Sequence, residues 1–276
     1  MTDFDAGAAI VGQPAPPQRS RHLGRHLLID TIFAGVGFLV IALAVPLVFV
    51  ALNAAREGLS IRNLAGLDQQ ELLRLVGAPG IFAMLLLQNA FFVVLPLVRA
   101  RWRHEPLASI GWAAPEPLKL VLFGIGLGVA VLVSNALLGL VFVQFGVRQN
   151  QSAQYPLFAG DYLGQALFFL GAAVLAPLGE EALFRGYLFN GLRRLWGTLP
   201  AFVVSALLFS LAHSLAATQG IVALLVPAFV MGLILAWGMR RTASLVPCVI
   251  AHAMNNGLAL SALLVCVNNP GLCPAA

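Results

Sequence analysis

Charge is what this sequence has least of. Of its 276 residues only 10% are Asp, Glu, Lys or Arg and 60% are hydrophobic, whereas soluble domains carry about 25% charged residues. A soluble globular protein is excluded by that balance, and the mean hydropathy of +0.90 points to a polytopic membrane protein. Other absences narrow the chemistry. There is no HExxH, and no intramembrane serine has an evident base partner, so neither a zincin nor a serine triad is supported. The glycines of the stretch LFGIGLGVAVLVSNALLG are followed by no phosphate-binding lysine, so Gly124 and Gly128 read as small-xxx-small helix packing. No internal repeat is visible, which weakens an inverted-repeat transporter. Of the three cysteines, Cys248 reads as a small core residue, and Cys266 and Cys273 are candidates for a pair on the outer side.

What the sequence has in abundance is apolar runs, at residues 31–52, 79–98, 120–145, 163–178, 199–217, 221–239 and 243–267. Most approach the roughly 20 residues a helix needs to cross about 30 Å of hydrocarbon, and lipid leaves a lone segment no other way to satisfy its backbone. The expected fold is an all-α polytopic membrane protein, a bundle of seven to eight transmembrane helices forming one domain over residues 27–276, after a disordered cytoplasmic tail over residues 1–26. The first span lies too far from the N-terminus for a cleaved signal peptide and reads as an uncleaved anchor. Residues 54–78 carry leucines spaced for a short amphipathic helix in the interface.

The formal charge of +5 does not call for nucleic acid. In a seven-span topology with the N-terminus inside, twelve basic residues (Arg19, Arg21, Arg25, Arg99, Arg101, Arg103, Lys119, Arg185, Arg193, Arg194, Arg240 and Arg241) fall on one side, and Arg56, Arg62, Arg74 and Arg148 on the other. That asymmetry is the positive-inside rule and places the N-terminus in the cytoplasm, with the plasma (inner) membrane as the expected location.

Polar residues gather after residue 175. Glu180, Glu181 and Arg185 stand in an otherwise apolar setting, where each ionised group costs roughly 2.5 to 3.5 kcal/mol on insertion scales. Glu181 and Arg185 are spaced i, i+4 with the acid first, the favourable order for an intrahelical ion pair. Glu180 then remains free, about 100° around the helix. His213 follows Phe209 by four residues, and His252 and Asn256 share one face of the last run. A free carboxylate, two histidines and an asparagine from three segments suit amide hydrolysis: the carboxylate relays a proton from water to the leaving amine, and the other groups steady an oxyanion.

The stretches EEALFRG (180–186), FSLAH (209–213) and HAMNN (252–256) resemble, in order and spacing, the EExxxR, FxxxH and HxxxN motifs of the CPBP family, the intramembrane CAAX proteases and bacteriocin-processing or self-immunity (Abi) proteins. No motif position departs from the pattern, and the likeness covers about residues 160–260. It implies an endopeptidase acting on a peptide or membrane-protein substrate, CAAX-like and lipidated in part of the family, near the cytoplasmic side of the membrane. Catalytic roles would fall to Glu180 with His213 for the water and to His252 with Asn256 for the oxyanion, with Glu181 and Arg185 in support. Two cofactor readings stay open: none, or zinc held by Glu180, His213 and His252. A catalytically silent scaffold or immunity protein using the same cavity, and a proton-coupled transporter relaying through Glu180, also stay open.

The seven-span topology contains a conflict. If the fourth span ends near residue 178, Glu180 lies at the cytoplasmic surface while His213 lies roughly 20 Å deep, and the two cannot meet. An irregular helix buried in protein resolves this without an eighth span, which would undo the charge asymmetry.

Overall fold

The computed structural model describes residues 17–148, 151–214 and 219–273. Among the described residues seven apolar helices make the bundle: α1 (Pro17–Arg56), α2 (Gln69–Trp102), α3 (Pro117–Gln144), α4 (Tyr162–Trp196), α5 (Thr198–Ala212), α6 (Val222–Thr242) and α7 (Val246–Asn268). No strand occurs among the described residues. Six of the helices are long and apolar enough to cross a membrane. The seventh, α5, has 15 residues and spans about 22 Å, short of a full crossing. No eighth helix separates from α4. Residues 17–26, expected in the tail, are the first turns of α1, and residues 1–16 lie outside the described residues.

Residues 69–76 form the short helix expected before the second run. Asp68 caps it, accepting from the Glu71 N–H at 2.9 Å while the Glu71 carboxylate accepts from the Asp68 N–H at 2.8 Å. Gly77, at φ 65°, breaks the helix ahead of Pro79, so this segment meets the rest of α2 at an angle.

The fourth apolar run differs most from expectation. It does not end near residue 178 but continues to Trp196 as one helix of 35 residues, with π-helical stretches at Gly171–Leu175 and Ala182–Phe189. The first precedes Pro177, whose ring and missing N–H disturb a regular α-helical ladder at this point. Every residue of the second is buried. This is the irregular buried helix that the topology required. Gly197 closes an antiparallel hairpin with α5, and Glu180 and His213 stand 17 and 16 residues from it along the two arms. Each arm is then about 25 Å long, and carboxylate and imidazole arrive at the same depth. Arg185, counted above among the cytoplasmic cations, is instead buried in the middle of the bundle.

At the arginine-rich end, α1 is fastened by Asp30. Its carboxylate is fully buried and accepts from Arg99 of α2 and from the Tyr187 hydroxyl of α4, with Arg103 3.6 Å away. At the opposite end Cys266 and Cys273 form a disulfide, while Cys248 is buried and donates to the Leu235 carbonyl at 3.2 Å. Helices α3 and α7 pack through the small-residue pair read from the sequence. A Cβ on Gly124 would lie 2.9 Å from the Pro247 Cα, and one on Gly128 would lie 3.3 Å from the Ala251 Cα. Gly126, on the other face, has nothing within 4 Å. Overpacking costs typically about 1–3 kcal/mol, so Gly124→Ala is expected to lower the thermal midpoint of the detergent-solubilised protein. Gly126→Ala, which gains helix propensity without a clash, is expected to leave it level or raise it.

Candidate active site

The site is built around two adjacent glutamates with opposite surroundings. Glu181 is wholly buried. Its Oε1 accepts from Arg185 Nη1 at 3.0 Å and from His252 Nδ1 at 2.9 Å. Arg185, itself buried, lies 4.2 Å above the Phe209 ring and reaches the Gly232 carbonyl at 3.4 Å. The i, i+4 ion pair expected from spacing is therefore present, and it is extended across the bundle to α7 and stacked on α5.

Glu180 points elsewhere. Its Oε2 lies 3.9 Å from His213 Nε2 and 4.0 Å from His252 Nε2, and makes no hydrogen bond. Both separations exceed hydrogen-bond length, and a buried carboxylate oxygen without a partner is the kind of group that an ordered water or ion completes. The side chains of Glu180 and His213 keep 19% and 24% of their exposure, against 0% for Glu181. Of the two acids, only Glu180 keeps any exposure.

The histidines are oriented through their other nitrogens. His213 Nδ1 lies 2.9 Å from the Phe209 carbonyl. A carbonyl only accepts, so Nδ1 carries a proton and Nε2 is the nitrogen turned towards Glu180. His252 Nδ1 likewise donates to Glu181. The Phe209 ring sits between the two, 4.8 Å from His213 and 5.7 Å from His252, and fixes their spacing. The FxxxH pattern is thus a ring that carries Arg185 on one side and separates two imidazoles on the other.

Asn256 is the end of a chain of amides. Its Nδ2 donates to the Ala172 carbonyl at 2.9 Å, its Oδ1 accepts from Asn255 at 3.1 Å, and Asn255 Oδ1 accepts from Asn135 of α3 at 2.8 Å. The Ala172 carbonyl sets the direction of the whole chain. One N–H of Asn256 stays uncommitted. Asn135 and Asn255 were missed by motif reading, although an asparagine inside an apolar run such as LVSNALLG signals an interhelical contact.

His213, His252, Asn255 and Asn256 line a cavity of about 920 Å³; Glu180 is outside its lining and approaches it only through the two imidazoles, at 3.9 and 4.0 Å. The structure therefore brings all four sequence-predicted catalytic residues, and both supporting ones, to one place. Zinc fits them poorly as they stand. Ligands at 2.0–2.1 Å around a tetrahedral ion lie about 3.3 Å apart, and the separations here are 3.9 and 4.0 Å. Among the described residues no group of three His, Cys, Asp or Glu side chains is placed to hold a metal.

Residues 162–258 match the family model described as type II CAAX prenyl endopeptidase Rce1-like. This Rce1-like region holds every motif residue named above and bears out the resemblance to the CPBP family. It begins with α4 and ends inside α7, so α1 to α3, with Asn135 and Asp30, lie outside it. No curated protein and no solved structure matches the chain.

Removing Arg185 strands the buried Glu181 charge. Breaking a buried pair from one side typically costs about 3–5 kcal/mol. Arg185→Met is expected to destabilise the protein by that order in denaturant unfolding, and Glu181→Gln added to it is expected to recover part of the loss.

Proposed function

We propose that this integral membrane protein is an intramembrane endopeptidase that hydrolyses a peptide bond by a glutamate-activated water. The observation that carries the reading is the unpartnered Glu180 Oε2 facing two anchored imidazoles. Glu180 takes a proton from a water drawn from the cavity, while the His213 Nε2 lone pair accepts the water's second hydrogen as a hydrogen bond. The water oxygen adds to the scissile carbonyl carbon. Charge developing on the carbonyl oxygen is met by the free N–H of Asn256, with the His252 ring, whose Nδ1 rests on Glu181, beside it. Glu180 then delivers its proton to the leaving nitrogen, the C–N bond breaks, and a carboxyl and an amine terminus result. Glu181 and Arg185 touch no substrate in this scheme; they hold His252 and Phe209 in place. The substrate is a membrane-associated peptide or protein, and the family description makes a lipidated, CAAX-like terminus the first class to test.

The test is cleavage of fluorogenic peptides, lipidated and not, by the purified protein with and without a zinc chelator. Glu180→Gln and His213→Ala are each expected to lower kcat by about 10²-fold or more with the thermal midpoint retained, and chelation is expected to leave turnover intact. Full activity in Glu180→Gln, or a biological phenotype that survives loss of Glu180 and both histidines, would favour a silent scaffold. Asn135→Leu, which frees the far end of the amide chain, is expected to reduce kcat with little change in KM.

A further inference from the structure

The cavity belongs to one end of the molecule. Its walls are the C-terminal half of α3, the N-terminal half of α6 and residues 252–263 of α7, and it continues past Phe142 and Val143 to the connection between α3 and α4 at Arg148 and Ser152. Arg148 and Ser152 are exposed. In the other direction lie buried side chains. Below the histidines the bundle is filled by the edge-to-face series Phe92, Phe184 and Phe209, at 6.5 and 5.3 Å, by Arg185 on Phe209, and by the wholly buried stretch Ala182–Phe189.

The two ends differ in chemistry. The end reached by the cavity carries the Cys266–Cys273 disulfide, and an Asn268 to Gly160 contact at 3.2 Å ties α7 to the loop before α4 there. The closed end carries Arg99, Arg101 and Arg103 where α2 finishes, Arg193 and Arg194 where α4 finishes, and Arg240 and Arg241 where α6 finishes. Disulfides persist in oxidising compartments, and clustered arginines stay on the cytoplasmic side. Two independent signals therefore give the same orientation.

We infer that the active-site cavity opens to the non-cytoplasmic face of the membrane, and that its occupant is a polypeptide presented there: an exported chain or the outer end of a membrane protein, with apolar residues to lie along Phe142, Leu260 and Leu263. This inference rests on the protease reading for the reaction, and it reverses the cytoplasmic-side cleavage that the sequence resemblance implied. A protein lipidated and retained in the cytosol could not reach such a mouth.

Natural thiols interfere little with the test, because Cys248 is buried and the other two cysteines are paired. Ser152→Cys at the mouth and Ala108→Cys at the closed end would be exposed to a membrane-impermeant maleimide in right-side-out and inside-out vesicles. In parallel, unsubstituted protein in oriented vesicles would receive the fluorogenic peptide from one side at a time. The expected result is labelling of Ser152→Cys only in right-side-out vesicles, the reverse for Ala108→Cys, and cleavage confined to peptide supplied on the Ser152 side. Labelling with the opposite sidedness, or cleavage from the Ala108 side, would overturn the inference. Protein that cleaves nothing even in detergent would sink the protease reading instead, while the labelling would still decide which way the cavity faces.

Discussion

A single buried carboxylate sets the geometry of this protein. Glu181 has no exposure, and an uncompensated charge in that position would cost several kcal/mol. It is compensated by Arg185 from the next turn of its own helix and by His252 from α7. Those two contacts fix the rotation of α4 against α7, and through Arg185 on Phe209 they fix α5 as well. The positions of Glu180, His213 and His252 follow from them. Glu180, one residue earlier, is turned away towards the histidines, and the Phe209 ring lies against both imidazoles. The spacing within EEALFRG thus separates a wholly buried acid from one that keeps some exposure.

The α4–α5 hairpin supplies depth in the same way. An intramembrane site needs its groups level with one another inside the bundle, and arms of nearly equal length from Gly197 provide that. Shortness of α5 is part of the arrangement. It ends where His213 is required, and the cavity occupies the space beyond it. The π-helical stretches let α4 carry Pro177 and a fully buried polar segment without breaking, consistent with the tendency of such irregularities to sit at functional sites.

Much of this was legible in the sequence because membranes impose simple rules. Apolar runs gave the helices, the Gly124 and Gly128 spacing gave the α3–α7 contact, and the i, i+4 order of Glu181 and Arg185 gave the ion pair. Where reading by composition failed, tertiary burial was the cause. Residues 179–196 are too polar to read as membrane, which puts the end of the run near residue 178, yet residues 181–192 are buried in protein. Asp30 gave no hint of its partners because Arg99 and Tyr187 are remote in sequence. The same is true of Asn135, which meets Asn255 across 120 residues.

The most direct test of the central claim is an experimental map showing ordered solvent, with anomalous data collected at the zinc edge. The account predicts a water hydrogen-bonded to Glu180 and within reach of His213 or His252 Nε2, and no anomalous peak at that position. A zinc peak, with Glu180, His213 and His252 drawn in to tetrahedral spacing, would contradict it.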